Sequence, residues 1–429
     1  MAIFDTSNFD SVLKDVYGPE IVNQVNDRVK TLEMFTPKKF QYEGNAVKYP
    51  LMFLRAQSFL AHGPLGILPT PQNTTNAQVT ISVKWIRGMI ALSFAVMALS
   101  KSNRGSWARA QEQLMNRMVT DCADEKNRML ASGCGTGTLC LVDGAGAGTT
   151  ALTVDAPGGY ALDGWGSRYV QPGMIIAIHD GTSTIYAIRQ VTAIAAETVT
   201  GATLTLNSAV SAGEAPDNAL VSRIGTLTAT DLANDSSKSN EPMGFEGLID
   251  NGDNVATFQN VVRATYADWK SLVISSSVLS LSLMQRLFDS IDQHCGEPIT
   301  DIMSHHSVRR LYLALIDTNR TFMQAGAAGN FDLGIDKMKI TYNGIPWDVD
   351  RDWRFGTLSA INRTHLEYYP LIEGQWADET GSIFRAVNTR QDAFEALWRW
   401  AGNYGTDRPA AHGKITGLSD ADAIERHIA

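Results

Sequence analysis

An α+β chain carrying an inserted all-β domain is what this sequence predicts, on three observations. Two β-patterned runs flank a Gly/Pro-rich tip and lead into an amphipathic helix, the composition shifts abruptly to Gly, Ala and Thr over 136–228, and helices and strands alternate from 265 onward. With 429 residues, 44% of them hydrophobic, the chain can bury a sizeable core divided among about two to four domains.

Residues 1–38 read as a loose start followed by a helix that opens near Pro19, with Ile21, Val22, Val25, Val29 and Leu32 on one stripe up to Pro37. Little neighbouring sequence is there to cover that stripe. The first β run, FQYEGNAVKYPLMFLR, alternates Phe40, Tyr42, Val47, Tyr49, Leu51 and Phe53, and the second alternates Val79, Ile81, Val83 and Trp85 with polar residues. Between them Gly63, Pro64, Gly66, Pro69 and Pro71 forbid regular structure. An isolated two-stranded ribbon is marginal in water, so another subunit is the expected source of its stability. After it, a helix over 105–133 is capped by Ser106, carries Trp107, Leu114, Met118, Cys122 and Met129 near one face, and ends before Gly133.

No lysine occurs between Lys126 and Lys238, and 133–228 carries only Arg168, Arg189 and Arg223 as arginines. Short runs such as MIIAIHD, TIYAIRQVTAI and ATLTLNSAV are separated by turn-rich pieces, the spacing of a small sandwich or barrel over 136–228. The polar stretch 229–242 opens the return segment 229–264. From 265 to about 375, Ser282 opens a helix ended by Gly296, the strand ITDIMS follows, a second helix runs from Ser307 to Asp317, and Asn343-Gly344 marks a hairpin. Strands at Leu358–Tyr369 and Phe394–Trp400 are expected to complete that sheet.

Composition excludes several classes of function. Charged residues make up 19% and the formal charge is -9, with no Lys/Arg run to serve as a nucleic-acid footprint. Cys122, Cys134, Cys140 and Cys295 form no CxxC pair, so neither a zinc site nor a disulfide framework is signalled. The start lacks the pattern of a signal peptide, and the apolar stretches 88–100 and 271–285 are shorter than the ~20 residues a membrane helix needs. Gly133, Gly135, Gly137 and Gly144, Gly146, Gly148 give Gly-x-Gly patterns without the strand-turn-helix context of a dinucleotide loop, and suit hinges of the inserted domain. Asp348, Asp350 and Asp352 alternate, but Trp353 and Ser359 stand where a calcium loop needs Gly and Glu; such alternation suits a solvated strand edge. His305 and His306 lack an HExxH partner and suit a helix entrance, His179-Asp180 suits a surface turn, and no GxSxG occurs. Trp398 and Trp400 suit packing better than a carbohydrate platform. No enzyme activity, cofactor or metal is expected.

The order of these parts resembles the major capsid proteins of tailed bacteriophages, the Hong Kong 97-like fold, across nearly the whole chain. On that resemblance 1–38 is the N-terminal arm, 39–90 the extended loop, and 91–135 the peripheral domain with its spine helix at 105–133. Residues 136–228 resemble the barrel-like insertion domains of some members, 229–264 is the return linker and a peripheral strand, 265–375 the axial domain, and 376–429 the return to the peripheral domain and the tail. The arm begins near Met1, which implies a separate scaffolding protein instead of a long cleaved N-terminal region. Lys38, Lys39, Lys48 and Lys84 lie in or beside the loop as ordinary solvated edge residues, and none is assigned a cross-linking role.

The resemblance implies a structural protein that assembles with itself through pentamers and hexamers into an icosahedral shell. Intersubunit contacts are expected at Ile21, Val25 and Val29 of the arm, at Phe53, Phe59, Leu65, Ile67, Leu68 and Trp85 of the loop, and at Arg408 of the tail. Implied partners are scaffolding and portal proteins, a decoration or cement protein and non-specifically packaged DNA, with no membrane. The implied location is the virion, assembled in the host bacterial cytoplasm. Two other readings stand beside it: an encapsulin-like bacterial shell holding a cargo enzyme, and a glycan-binding or glycan-active protein using the β domain and tryptophans.

Overall fold

The computed structural model describes residues 31–37, 44, 46–52, 58–71, 76–93, 110–160, 165–195, 201–318, 340–378, 382–388 and 391–419. The expected contacts Ile21, Val25, Val29 and Phe53, and the helix cap Ser106, lie outside them. The chain divides into two compact units, one containing Arg87–Asp124 and Gln375–Arg399, the other Val29–Ile86, Glu125–Gly374 and Trp400–Ala429.

The chain is described from a single turn, Thr31–Met34, and β1 (Thr36–Pro37). β2 (Ala46–Met52) and β3 (Asn76–Ser82) pair antiparallel from Ala46↔Ser82 to Met52↔Asn76, a two-stranded ribbon with no third strand among the described residues. The second β run is two strands, not one: it breaks at Val83, and β4 (Lys84–Ser93) pairs with the later strand Gln391–Thr406. Two-residue periodicity reports which face a residue takes, not which strand lies beside it, so the change of partner leaves no mark on the pattern. α1 (Ala110–Ala131), roughly 33 Å long at 1.5 Å per residue, ends where a Cβ on Gly133 would stand 2.1 Å from the Met129 carbonyl oxygen.

β5 (Thr138–Val142), β6 (Thr149–Asp155), β7 (Ile175–His179), β8 (Ile185–Ala195), β9 (Ala202–Val210) and β10 (Leu220–Arg223) close into a barrel in the order β10-β5-β6-β9-β8-β7. Leu139, Val142, Leu152, Ile176, Val191 and Leu204 fill it, and closure leaves it no free edge. Entry and exit strands cross at a narrow neck. Ser239 N donates to Thr136 O at 2.8 Å, and a Cβ on Gly137, whose φ is +75°, would lie 2.0 Å from Ser237 O.

Segment 229–264 contributes no strand to the larger sheets. It forms the hairpin β11 (Thr257–Phe258) and β12 (Val261–Val262) instead, turned by Gln259 and Asn260 at positive φ, as a type I′ turn requires. Next come β13 (Leu272–Ser275), α2 (Leu281–Cys295), β14 (Asp301–Ser304), α3 (His306–Thr318), β15 (Ile340–Tyr342), β16 (Ile345–Val349) and β17 (Leu358–Ile361). Ser280, not Ser282, caps α2: its Oγ accepts from Leu283 N at 3.1 Å, and Gly296 in the left-handed region closes the helix. The apolar stripe of α2, Met284, Leu287, Phe288 and Ile291, packs in one core with Ile302, Val308, Trp347 and Leu358.

β18 (Leu366–Trp376), β19 (Arg385–Asn388), β20 (Gln391–Thr406) and β21 (Gly413–Thr416) complete the chain. Two expectations are corrected here. The six-stranded sheet runs β13-β21-β17-β14-β16-β15, so the tail strand β21 sits inside it, between β13 and β17. β18 and β20, expected to complete that sheet, belong to another, ordered β1-β18-β20-β19 with β4 also on β20. Lys414 explains the capture of β21. Its ammonium is buried on Glu246 at 2.7 Å, an attachment over 168 residues that local sequence patterns do not carry.

In the smaller unit β19 pairs with β20 and Arg385 meets Glu395 at 2.8 Å. Gly88 of β4 leaves room for Met118 of α1, whose sulfur would stand 2.8 Å from an added Cβ.

Candidate assembly surface

The ribbon is anchored at its base and bare at its tip. On one face Val47, Val79 and Ile81 are buried, Thr80 N donates to Gln259 O at 2.9 Å, and Asn403 Nδ2 donates to Ser82 O at 2.8 Å. Gly405 admits the Ile81 side chain, which would stand 3.1 Å from a Cβ there. Lys84 is half-buried beside this base, donates to Ser239 O at 2.5 Å, and burial lowers its pKa. It is therefore not a freely solvated edge lysine.

Beyond the paired strands the chain runs through 58–71 with a single turn, Gly66 N to Gly63 O at 2.9 Å. Phe59 is 77% exposed, Leu65 101%, Ile67 93% and Leu68 75%. Burying one such side chain is worth about 1.5–3 kcal/mol, and the tip leaves all four in water. Trp85, also among the expected contacts, is 45% exposed on β4.

Arg408 is placed differently. Its guanidinium donates to Glu297 through Nη1 and to the Cys295 carbonyl oxygen through Nη2 at 2.9 Å. It is committed within its own chain to the end of α2, with its side chain 44% exposed. Next to it lies a cavity of about 350 Å³ lined by Leu51 and Met52 of the ribbon together with Trp269, Cys295, Asp407 and Arg408.

The residues that could suggest chemistry have structural duties. His179 is buried, not a surface turn: its Nδ1 accepts from Gly181 N at 2.9 Å, so Nε2 carries the proton and faces Ser222 Oγ at 2.9 Å. That tautomer cannot take a proton from the serine. Asp180 forms the turn, accepting from Thr182 N and Thr184 N. His305 accepts from Ser307 N at 3.2 Å at the entrance of α3. Asp350, in the turn after β16, is buried instead of lying on a solvated edge: Asn127 of α1 donates to both Asp350 oxygens at 3.1 and 3.3 Å and to Asp352 at 2.8 Å. Trp398 and Trp400 are buried, with Trp400 stacked on Tyr368 and Tyr404, so neither offers a sugar-binding face. Among the described residues no group of three or more His, Cys, Asp or Glu could hold a metal ion, the four cysteines are free thiols, and no helix is long and apolar enough to cross a membrane.

No protein-family model matches the chain, and no curated protein matches it. Its structure is similar to the capsid asymmetric unit of cyanophage A-1(L), at 11% identity and a TM-score of 0.54, over 97% of this chain and 100% of that one. It is similar also to the capsid of a native GTA particle, at 9% identity and a TM-score of 0.52, over 97% and 100%, and to that of an empty GTA particle at 8% identity with the same TM-score and coverage. The likeness is one of fold, and it spans both chains almost end to end. The chain shares its fold with phage capsid proteins.

Proposed function

We propose that this chain is the major capsid protein of a tailed double-stranded DNA bacteriophage, assembling through pentamers and hexamers into an icosahedral shell. One observation carries the reading: a ribbon with a bare apolar tip projects from a chain whose fold matches capsid subunits over nearly its full length. Shell subunits meet through large, repeated interfaces in which many weak contacts add up, and a tip of this kind supplies one of them. Phe59, Leu65, Ile67, Leu68 and Trp85 then lie against a neighbouring subunit. The arm residues Ile21, Val25 and Val29 and the loop residue Phe53 are assigned the same role from sequence.

A separate scaffolding protein, a portal and a decoration or cement protein belong to the same proposal, as do a virion location and assembly in the bacterial cytoplasm. The formal charge of -9 suits a container that holds DNA without gripping it. The chain is read as a structural protein, not an enzyme. Electron microscopy and light scattering of the purified protein, with scaffold supplied, test the proposal. Rings or shells are expected, and a strictly monomeric species at high concentration would overturn it. Deleting Ala61–Asn76 should leave a folded subunit that no longer closes shells; normal particles from that deletion would remove the ribbon from the mechanism.

A further inference from the structure

The most unusual polar cluster in the larger unit surrounds His365, in the single turn Arg363–His365 between β17 and β18. Its Nδ1 faces Asp407 Oδ1 at 2.7 Å, and its Nε2 faces Glu297 Oε2. A neutral imidazole carries one N–H, so it can satisfy one of these carboxylates and must turn a lone pair toward the other. With two N–H groups it satisfies both. Arg408 donates to the second Glu297 oxygen and to the Cys295 carbonyl oxygen, and Asn362 Nδ2 donates to Glu297 at 3.3 Å. The cluster therefore joins three segments: the end of α2, the turn before β18 and the residues after β20. It borders the cavity that Leu51 and Met52 of the ribbon help to line.

We propose that His365, Glu297, Asp407 and Arg408 form a proton-operated latch: imidazolium at His365 ties the turn before β18 to both Glu297 and Asp407, and loss of that proton breaks one of these two ties, leaving Arg408 to hold the end of α2 to the chain after β20. The other ionisable groups around it do not supply the same response. His412 lies beside the cluster, but its Nδ1 accepts from Asn362 N at 3.2 Å and its Nε2 faces Thr406 Oγ1, so it is satisfied as the neutral ring. His294 pairs with Asp268 at 3.5 Å on the cavity side, and Arg363 pairs with Asp301 at 3.5 Å. Glu297 is held below the usual carboxylate range, by the hydrogen bond from His365 first and then by the charges of His365 and Arg408. It therefore stays ionised over the range in which an imidazole changes charge. The latch is closed at low pH and opens as pH rises.

The test is a double-mutant cycle on the full chain below its assembly concentration, with His365→Gln, Glu297→Gln and both, unfolded in denaturant at about pH 5.5 and about pH 8.5. Coupling between the two positions should change the unfolding constant by about tenfold at the lower pH and by about twofold or less at the higher. Equal coupling at both pH values overturns the latch. Should His365→Gln fail to fold, nitrogen-15 NMR of histidine-labelled wild-type protein decides, with Asp407→Asn used to identify the His365 signals by their displacement. Two protonated ring nitrogens in acid, giving way to one as pH rises, support the latch. A neutral ring throughout overturns it.

Discussion

His412 is fully buried, and burial, with the nearby His365 adding to it, pushes its pKa down to about 3. Burial and the Lys238 ammonium bring His179 down to about 4. An unfolded chain takes up these protons near pH 6.5, whereas the folded chain refuses them. The stability they contribute is therefore complete above about pH 6.5 and declines on acidification, by up to about 1.4 kcal/mol per pH unit for each group. Unfolding measured between about pH 7 and pH 4 should show this slope, and His412→Gln should lose its share of it; an unchanged slope would remove His412 from the account. A second test concerns Glu246, whose carboxyl is raised by burial but lowered overall by Lys414 and Arg354, at 2.7 and 3.3 Å. Lys414→Met should cost about 3–5 kcal/mol, because it leaves a buried carboxylate with one cation in place of two; a loss under about 1 kcal/mol in denaturant unfolding would show that Arg354 alone suffices. Neither arrangement was legible in the sequence. His179-Asp180 reads as an exposed turn because its burial depends on β10 arriving from 43 residues downstream, and Asp350 reads as solvated because Asn127 reaches it from 223 residues upstream.

At the scale of elements, more was legible where the information is local. The ribbon, the helix before Gly133, the apolar stripe of α2 with its Gly296 end, and the Asn343-Gly344 turn are written in neighbouring residues as periodicity and positive φ. Strand partners are not, which is why the second β run hides its break at Val83 and why the place of β21 inside the six-stranded sheet leaves no local mark. The exposure of the tip residues was legible for a related reason: apolar side chains between prolines and glycines have no strand or helix to bury them. Changing Leu65, Ile67 and Leu68 together to Ser should alter subunit stability by no more than about 0.5 kcal/mol, since all are bare in the isolated chain. The same variant should fail to form particles, at a loss of about 1.5–3 kcal/mol per side chain in each interface. A marked drop in thermal midpoint, or normal shells by electron microscopy, would contradict this division.

For the whole molecule, the barrel and the body around it depend on each other unequally. The barrel closes on itself, has a continuous core, and begins and ends where Ser239 N meets Thr136 O at 2.8 Å. Residues 136–239 excised as a separate chain should therefore fold cooperatively. The body gives up more in the exchange. Arg168, from the barrel segment between β6 and β7, lies 4.1 Å from the centre of the Phe355 ring and donates to Trp353 O at 3.0 Å as well as to Arg351 O. It thereby holds the turn after β16, the same turn whose Asp350 receives Asn127 of α1 and whose Arg354 meets Glu246. Three parts of the larger unit thus converge on residues 350–355, and one of the braces comes from the barrel. Arg168→Ala should lower the stability of the full chain by about 1–3 kcal/mol, through the lost cation–π contact and the unpaired carbonyl oxygens. Hydrogen exchange should locate the loosening at 350–355 and leave the barrel strands protected as before. Loss of protection confined to the barrel would instead make Arg168 a residue of the barrel's own stability, and the brace would not exist.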